Sequence, residues 1–254
     1  MVADIHIYEI KRMDLKGGIV IDGFPSVGLV SSIVANYIIN VLDLEQIGVM
    51  DSIYFPTVSL IRNSEPQNPV RIYGGEAKER KIIVFISEFQ PPPNLIKPVA
   101  ATLLDWAIEQ KCSMVISPEG MVVERFGEEG SQPPSPSVYG IATTEQGRSL
   151  IEANGVKNFS EGVITGVAGV LLNEGKRREY NVVCLLAEAH PEYPDARAAA
   201  RIIEVLDSMI LKMHIDTKPL YEEAEKLERQ IKAIHAQAEQ AKKHKIPPTP
   251  QMYG

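Results

Sequence analysis

Cysteine is scarce in this sequence, and metal-binding spacings are missing. Cys112 and Cys184 are the two cysteines in 254 residues, and both lie among apolar neighbours. This argues against a disulfide framework and predicts reduced core side chains in a cytoplasmic protein. The five histidines form no pair of the His-Glu-x-x-His kind, so we expect neither a metal site nor a cofactor. A chain of this length with 44% apolar residues can bury a core without cross-links.

Positive charge and long apolar runs are also lacking. The chain has 26 Lys and Arg against 33 Asp and Glu, which gives a formal net charge of -7. Nucleic acid requires a basic face, so we expect no nucleic-acid partner. The longest apolar-rich stretch, residues 27–42, contains two serines and two asparagines. It is too short and too polar to span a bilayer, so we expect no signal peptide and no membrane partner.

Short apolar segments alternate with helical segments along most of the chain. This order predicts an α/β fold with a mostly parallel or mixed central sheet and helices on both faces. The predicted parts are an α/β core domain (1–216), an amphipathic helix (217–243) and a proline-rich spacer with a terminal tail (244–254). The strands and helices that define the core are predicted at Ile5–Ile10, Gly18–Asp22, Lys81–Ile86, Met114–Ile116 and Asn181–Ala187, and at Val27–Leu42, Leu95–Gln110 and Ala196–Met213.

Glycine, proline and serine mark the predicted breaks between these elements. Gly74-Gly75 is expected to join the strand at residues 69–73 to the one that begins at Lys81, and Ser117-Pro118-Glu119-Gly120 is expected to end the strand from Met114. Ser26 is predicted to cap the helix that begins at Val27.

The C-terminal segment has a heptad pattern. Its apolar residues follow one another at alternating spacings of four and three, which predicts one apolar seam along a helix. This helix either lies on its own domain or packs on another subunit and projects outward, and both interpretations stay open. The seam is too rich in alanine for a strong isolated coiled coil. Its residues are Leu220, Ala224, Leu227, Ile231, Ile234, Ala238 and Ala241.

The chain ends in a pattern suited to docking. Three prolines between His244 and Pro250 make an extended spacer, which at about 3.1 Å per residue reaches on the order of 25 Å. Met252, Tyr253 and Gly254 then present a hydrophobic residue, an aromatic ring and a carboxylate. A partner binds these with an apolar groove, a slot for the ring and a lysine. The alternative is a frayed chain end.

The turn after the strand at Gly18–Asp22 is a candidate anion site. A strand-to-helix turn points backbone N–H groups at an anion, so Gly23, Ser26 and Gly28 are the candidate ligands. The turn matches neither the dinucleotide-binding nor the Walker pattern, and glycine here also suits close strand–helix packing. Polar residues cluster further on, from Glu188 to Asp195, where they form either an acid/base site or a helix cap at Asp195. No catalytic residue is predicted.

Three motifs and the tail resemble those of the proteasome-assembly chaperone family, and of its archaeal members in particular. The motifs are Gly23–Val30, the proline-rich turn before Leu95, and Glu188–Pro191 before a long helix, and the order of elements is similar over residues 3–213. The resemblance implies a nucleoside-phosphorylase-like fold, a homo-oligomer, and ATP-independent binding to proteasome α-subunits through Met252, Tyr253 and Gly254. It leaves open a second family member as a partner.

Two other functions remain as alternatives. One is a nucleoside-phosphorylase-like enzyme or an ATP-dependent ligase, with an anion site at residues 23–28 and a base near His190. The other is a scaffold that associates only with itself through the seam at residues 220–241.

Overall fold

The computed structural model describes residues 4–122, 135–227 and 229–230. Within these ranges nine strands form one sheet, in the order β1-β3-β6-β7-β2-β8-β11-β9-β10, and β4 and β5 form a separate hairpin. The strands are β1 Ile5–Glu9, β2 Ile19–Gly23, β3 Glu45–Ser52, β4 Leu60–Arg62, β5 Glu65–Gln67, β6 Val70–Ala77, β7 Arg80–Ser87, β8 Met114–Val122, β9 Val138–Ala142, β10 Lys157–Asn158 and β11 Val182–Ala189.

The sheet is mixed. Its four central strands, β7, β2, β8 and β11, run parallel to one another. On one side β6, β3 and β1 continue as antiparallel pairs, and on the other side β9 is antiparallel to β11. The predicted mixed α/β sheet is therefore confirmed, and the strand predicted at Ile5–Ile10 lies at the sheet edge as β1.

Helices cover both faces of the sheet, as predicted. In β2, Ile19 and Ile21 face the side that carries α1, α3 and α5, while Val20 faces the side that carries α2 and α4. This alternation follows from the two-residue period of a strand, and both faces are apolar because both are buried. The helices are α1 Val30–Val41, α2 Pro93–Glu109, α3 Glu145–Ala153, α4 Gly166–Arg177 and α5 Ala196–Leu206. No described helix is both long enough and apolar enough to cross a bilayer.

The turn expected at Gly74-Gly75 was predicted wrongly. Both glycines lie inside β6, and the turn to β7 is formed by Lys78 and Glu79, at φ 46° and 64°. Two consecutive residues with positive φ are typical of a tight hairpin. The glycines serve packing instead, since a Cβ at Gly74 would lie 2.7 Å from Ile47 Cδ1.

The end of β8 was also predicted too early. The strand runs through Pro118 to Val122, paired with β11 throughout, whereas its pairing with β2 stops at Ile116. The N–H of Val115 bonds towards the β11 side, so the nitrogen of Pro118, three residues on, faces the side where β2 has ended. Proline therefore removes no hydrogen bond of the ladder there.

The helix predicted at Ala196–Met213 ends as an α-helix at Leu206. A single turn of π-helix follows at Asp207–Leu211. The chain then reverses through Lys212 and His214, both at positive φ. The Asp207 carboxylate accepts N–H bonds from Met213 at 2.8 Å, His214 at 2.9 Å and Ile215 at 3.4 Å. One buried carboxylate thus fixes this reversal.

The C-terminal helix begins at residue 218 and is helical through residue 227. Its first seam residues, Leu220 and Ala224, are only 4% and 5% exposed and belong to the core on the α1 and α5 face. From Leu220 to Ala224, the helix therefore packs on its own α/β domain. The rest of the seam, from Ile231 onwards, lies outside the described residues.

Candidate functional site

Three sequence motifs meet at one edge of the sheet. Because β2, β7, β8 and β11 are parallel, their carboxyl ends lie at the same edge, where α/β proteins place their binding sites. The Gly23–Gly28 turn begins at the last residue of β2, the proline turn at 91–93 follows β7, and the loop at 190–195 follows β11.

The glycine turn contacts the loop after β11. The Asp195 N–H donates to the Gly28 carbonyl at 2.8 Å. Gly28 has φ 61°, and a Cβ there would lie 2.8 Å from the His190 carbonyl oxygen. Glycine is therefore required at this position for both conformation and space.

Asp195 caps α5, which confirms one of the two roles considered for it. Its Oδ1 accepts the Ala198 N–H at 2.9 Å, and its Oδ2 accepts the His190 N–H at 3.0 Å. Both oxygens are thereby used to hold the backbone. The His190 ring stacks on Tyr193, with centroids 4.8 Å apart.

Ser26 lies at the centre of the turn, but α1 begins later than predicted. Residues Val27–Leu29 form a 3-10 turn, and the α-helix starts at Val30 because Gly28 and Leu29 are left-handed. The Ser26 Oγ accepts bonds from the Ser31 N–H at 3.2 Å and the Ser31 hydroxyl at 2.5 Å. Ser26 thus caps the helix from one turn further away than a regular N-cap.

The candidate anion site gains no support from this geometry. The Phe24 N–H donates to Asp22, and the N–H groups of Leu29 and Ser31 donate to Ser26. A Cβ at Gly23 would lie 2.4 Å from the Ala35 Cβ, so this glycine serves close packing. Anion binding at Gly23, Ser26 and Gly28 stays a prediction.

Two carboxyl groups lie beside the turn, that of Asp22 fully buried and that of Glu119 partly buried. The Ser117 hydroxyl donates to Asp22 Oδ2 at 2.8 Å, and both residues are fully buried. Glu119 hydrogen-bonds to Ser117 and Ser26. Burial raises the pKa of Asp22 to about 6. Burial first, and then the charge of Asp22, raises the pKa of Glu119 well above its ordinary value.

A cavity of about 510 Å³ opens beside Glu119. Only a glycine at position 120 allows β8 to approach the turn, since a Cβ there would lie 2.1 Å from the Val27 carbonyl oxygen. The N-terminus of α4 forms part of the wall. The lining residues are Phe24, Pro25, Ser26, Val27, Gln90, Glu119, Gly120, Met121, Val122, Phe159, Val163, Ile164, Thr165, Gly166, Val167 and Leu186.

Sequence reasoning missed most of this cavity. Glu119 was expected to lie in the turn after a strand, and no role was predicted for it. The signal was present, since a carboxyl group follows the buried strand from Met114. The segment from Gly162 to Leu172 is apolar and punctuated by glycines, and no helix was predicted there, although α4 begins inside it at Gly166.

Three further predictions concern His190, a metal site and the C-terminal tail. His190 is not among the described residues that line the cavity. In the described ranges no three His, Cys, Asp or Glu side chains come together as a metal-binding group. The docking residues Met252, Tyr253 and Gly254 lie outside the described residues.

Comparison with known proteins identifies the family. A model described as the PAC2 family matches residues 20–235. The structure of PbaA from Pyrococcus furiosus, described as an archaeal homologue of proteasome-assembly chaperone, is 34% identical with a TM-score of 0.78, over 94% of this chain and 99% of PbaA. PbaB from the same organism, described as an archaeal proteasome activator, is 25% identical with a TM-score of 0.80, over 92% of this chain and 100% of PbaB.

A third relative is known by sequence. An uncharacterised protein of Methanocaldococcus jannaschii is 28% identical over 239 residues, 93% of each chain. The fold and the matches define this molecule as an α/β homologue of the proteasome-assembly chaperones. The chain belongs to the PAC2 family, which confirms the resemblance inferred from the three motifs.

Proposed function

We propose that this protein is an ATP-independent, cytoplasmic proteasome-assembly chaperone homologue. It binds proteasome α-subunits or the α-ring through Met252, Tyr253 and Gly254, and a homo-oligomer presents several copies of this tail. The observation that carries the proposal is the nearly full-length similarity to PbaA and PbaB, a chaperone homologue and a proteasome activator by their descriptions. A second family member is an additional candidate partner.

The base of the C-terminal helix is held firmly, which suits the presentation of a tail. The Tyr221 hydroxyl donates to Glu204 Oε1 at 2.9 Å, and the Thr217 hydroxyl donates to the same oxygen at 3.0 Å. The Tyr37 hydroxyl donates to the Asp216 carbonyl on the approach to the helix. The start of the C-terminal helix is therefore fixed on the α1 and α5 face.

The sequence beyond this point gives the tail its reach. The helix predicted at 217–243 would extend about 40 Å at 1.5 Å per residue, and the spacer adds on the order of 25 Å. A body that fixes the helix base and a tail of this length together allow docking at a distance from the α/β domain.

Exposed apolar side chains support the homo-oligomer. Ile53 is 79% exposed, Ile61 is 67% exposed and Val58 is 54% exposed, all within the segment between β3 and β5. Apolar side chains clustered on a surface are typical of an interface with another protein chain. In the proposed homo-oligomer, a second copy of the chain covers these exposed side chains.

Binding, and not catalysis, is the proposed mode of action. Asp195 uses both carboxylate oxygens to hold backbone N–H groups, and Asp22 uses its oxygens for the Phe24 N–H and the Ser117 hydroxyl. The hydrogen bonds of these two carboxyl groups hold the fold together, as those of structural residues do. Catalysis by the alternative enzyme would require an acid/base group that is not committed in this way.

A single substitution tests the docking residues. Tyr253→Ala should abolish co-purification with proteasome core particles and with free α-subunits, because it removes the ring and the hydroxyl that the partner recognises. Tyr8→Ala, at a tyrosine that is 55% exposed on β1, is the matched control and should bind normally. Equal binding by both variants would contradict docking through the tail.

A further inference from the structure

The cavity beside Glu119 has the size and the walls of a small-ligand site. Its volume of about 510 Å³ lies within the roughly 300–1,000 Å³ that ligand pockets occupy. Most of its wall is apolar, supplied by four elements: the turn after β2, the end of β8, the segment before α4, and β11. The apolar residues that form it include Phe24, Met121, Phe159, Val163, Ile164 and Leu186.

Charge in the cavity has one sign. Glu119 is the only ionisable side chain among the described lining residues, and no lysine, arginine or histidine is among them. Among the described lining residues, an anionic ligand would therefore meet a carboxyl group and no side-chain cation. In the described part of the chain, the other ionisable groups that interact with Glu119 are Asp22 on β2 and Cys184 on β11, and neither is basic.

Burial raises the pKa of Glu119, whereas the hydroxyl groups of Ser117 and Ser26 beside it favour its carboxylate form. Ser117 has a single hydroxyl proton, which it donates to Asp22. The Ser26 hydroxyl oxygen accepts bonds from the Ser31 N–H, the Ser31 hydroxyl and the Gly120 N–H. Ser117 lies between the two carboxyl groups, and the charge of Asp22 raises the pKa of Glu119 further.

We propose that this cavity binds a small organic cation, an amine carried on an apolar body, with its ammonium group against the carboxylate of Glu119. A desolvated carboxyl group ionises when an opposite charge is brought against it. The apolar wall takes the body of the ligand. The N-terminus of α4 forms a further part of the wall, where Thr165, Gly166 and Val167 line the cavity.

Binding is coupled to proton release. The ligand enters as an ammonium ion, Glu119 changes from carboxylic acid to carboxylate, and its proton passes to the solvent. No bond to the ligand is formed or broken. Affinity should therefore rise with pH until Glu119 is ionised without the ligand, and the measured heat should depend on the ionisation enthalpy of the buffer.

Isothermal titration calorimetry on the full chain, with phenethylamine and 3-phenylpropionate, tests this. The two probes share a ring and a similar length and differ in the sign of their charge. Phenethylamine should bind with release of about one proton per ligand, and 3-phenylpropionate should not bind. Glu119→Gln should weaken phenethylamine binding about tenfold or more. Glu152→Gln, at an exposed residue of α3, should leave it unchanged.

A rim variant keeps the test valid if Glu119→Gln does not fold. Val163 lines the cavity but is 86% exposed, so Val163→Lys leaves the core intact and places a cation at the entrance. It should weaken phenethylamine binding several-fold. The proposal is wrong if phenethylamine does not bind at millimolar concentrations, if 3-phenylpropionate binds as well, or if neither cavity variant changes the affinity.

Discussion

Two separate constraints, one of backbone conformation and one of space, require glycine at position 28. Its backbone is left-handed, and the space that a side chain would need is filled by the His190 carbonyl. The sequence predicted a glycine in a strand-to-helix turn. It could not predict the second constraint, because the contact joins residues far apart in the chain.

A pair of glycine substitutions separates these constraints. Gly155→Ala, at φ 67° with nothing within 4 Å of the added Cβ, should cost about 1–2 kcal/mol for the backbone conformation alone. Gly28→Ala should cost at least about 1 kcal/mol more, because the Cβ also meets backbone atoms. Urea unfolding of both variants measures the difference. Equal free energies of unfolding would show that the contact with His190 adds no strain.

Asp22 should make stability depend on pH. Its pKa is raised from 3.8 to about 6 by burial, so the folded state holds a proton that the unfolded state releases. The stabilisation is complete below pH 4, is lost as the pH rises through about 6, and amounts to about 3 kcal/mol at most. Asp22→Asn should flatten the free energy of unfolding over this range. A slope retained in the variant would assign it to another group, Glu119 first.

Residues differ in how far the sequence determines their role. Asp195 directly precedes a helical segment, so a local rule predicted its capping bond to Ala198. The partners of Glu119 depend on β2 and β8 being neighbours in the sheet, although Ser26 and Glu119 are far apart in sequence. No local pattern gives that adjacency, which is why the cavity was not predicted.

At the scale of elements, the reversal after α5 sets the position of the C-terminal helix. Asp207→Ala removes the acceptor of three N–H groups and should cost about 1–3 kcal/mol. Amide exchange at residues 213–221 should rise first, because these residues follow the reversal. Glu222→Ala, whose side chain is 66% exposed in a 3.6 Å pair with Lys218, should change stability by less than about 0.5 kcal/mol. Equal effects of the two substitutions would contradict this role for Asp207.

Element types were predicted better than element ends. The central strands and the helices on both faces follow from apolar patterns that burial enforces. The ends at Gly74-Gly75 and at Pro118 were predicted wrongly because glycine and proline were assumed to break strands. In the sheet the glycines make room for Ile47 and Leu44, and Pro118 faces the side that β2 has left.

At the scale of the whole molecule, several tails should act together. One short peptide binds weakly, whereas linked copies raise the effective concentration of each other. A synthetic peptide of residues 244–254 should therefore bind proteasome core particles at least about a hundredfold more weakly than the full chain. Surface plasmon resonance compares the two. Similar affinities would indicate that one tail suffices and that the oligomer is not needed for docking.

The account depends most on the tail, and one comparison tests it directly. Surface plasmon resonance against immobilised proteasome core particle, and against free α-subunits, should show binding by the full chain and none by a chain that lacks Met252, Tyr253 and Gly254. Melting curves of the two chains should coincide, since the α/β core is the same. Binding that survives the truncation would move the contact to the body of the molecule, and no binding by either chain would contradict the proposed function.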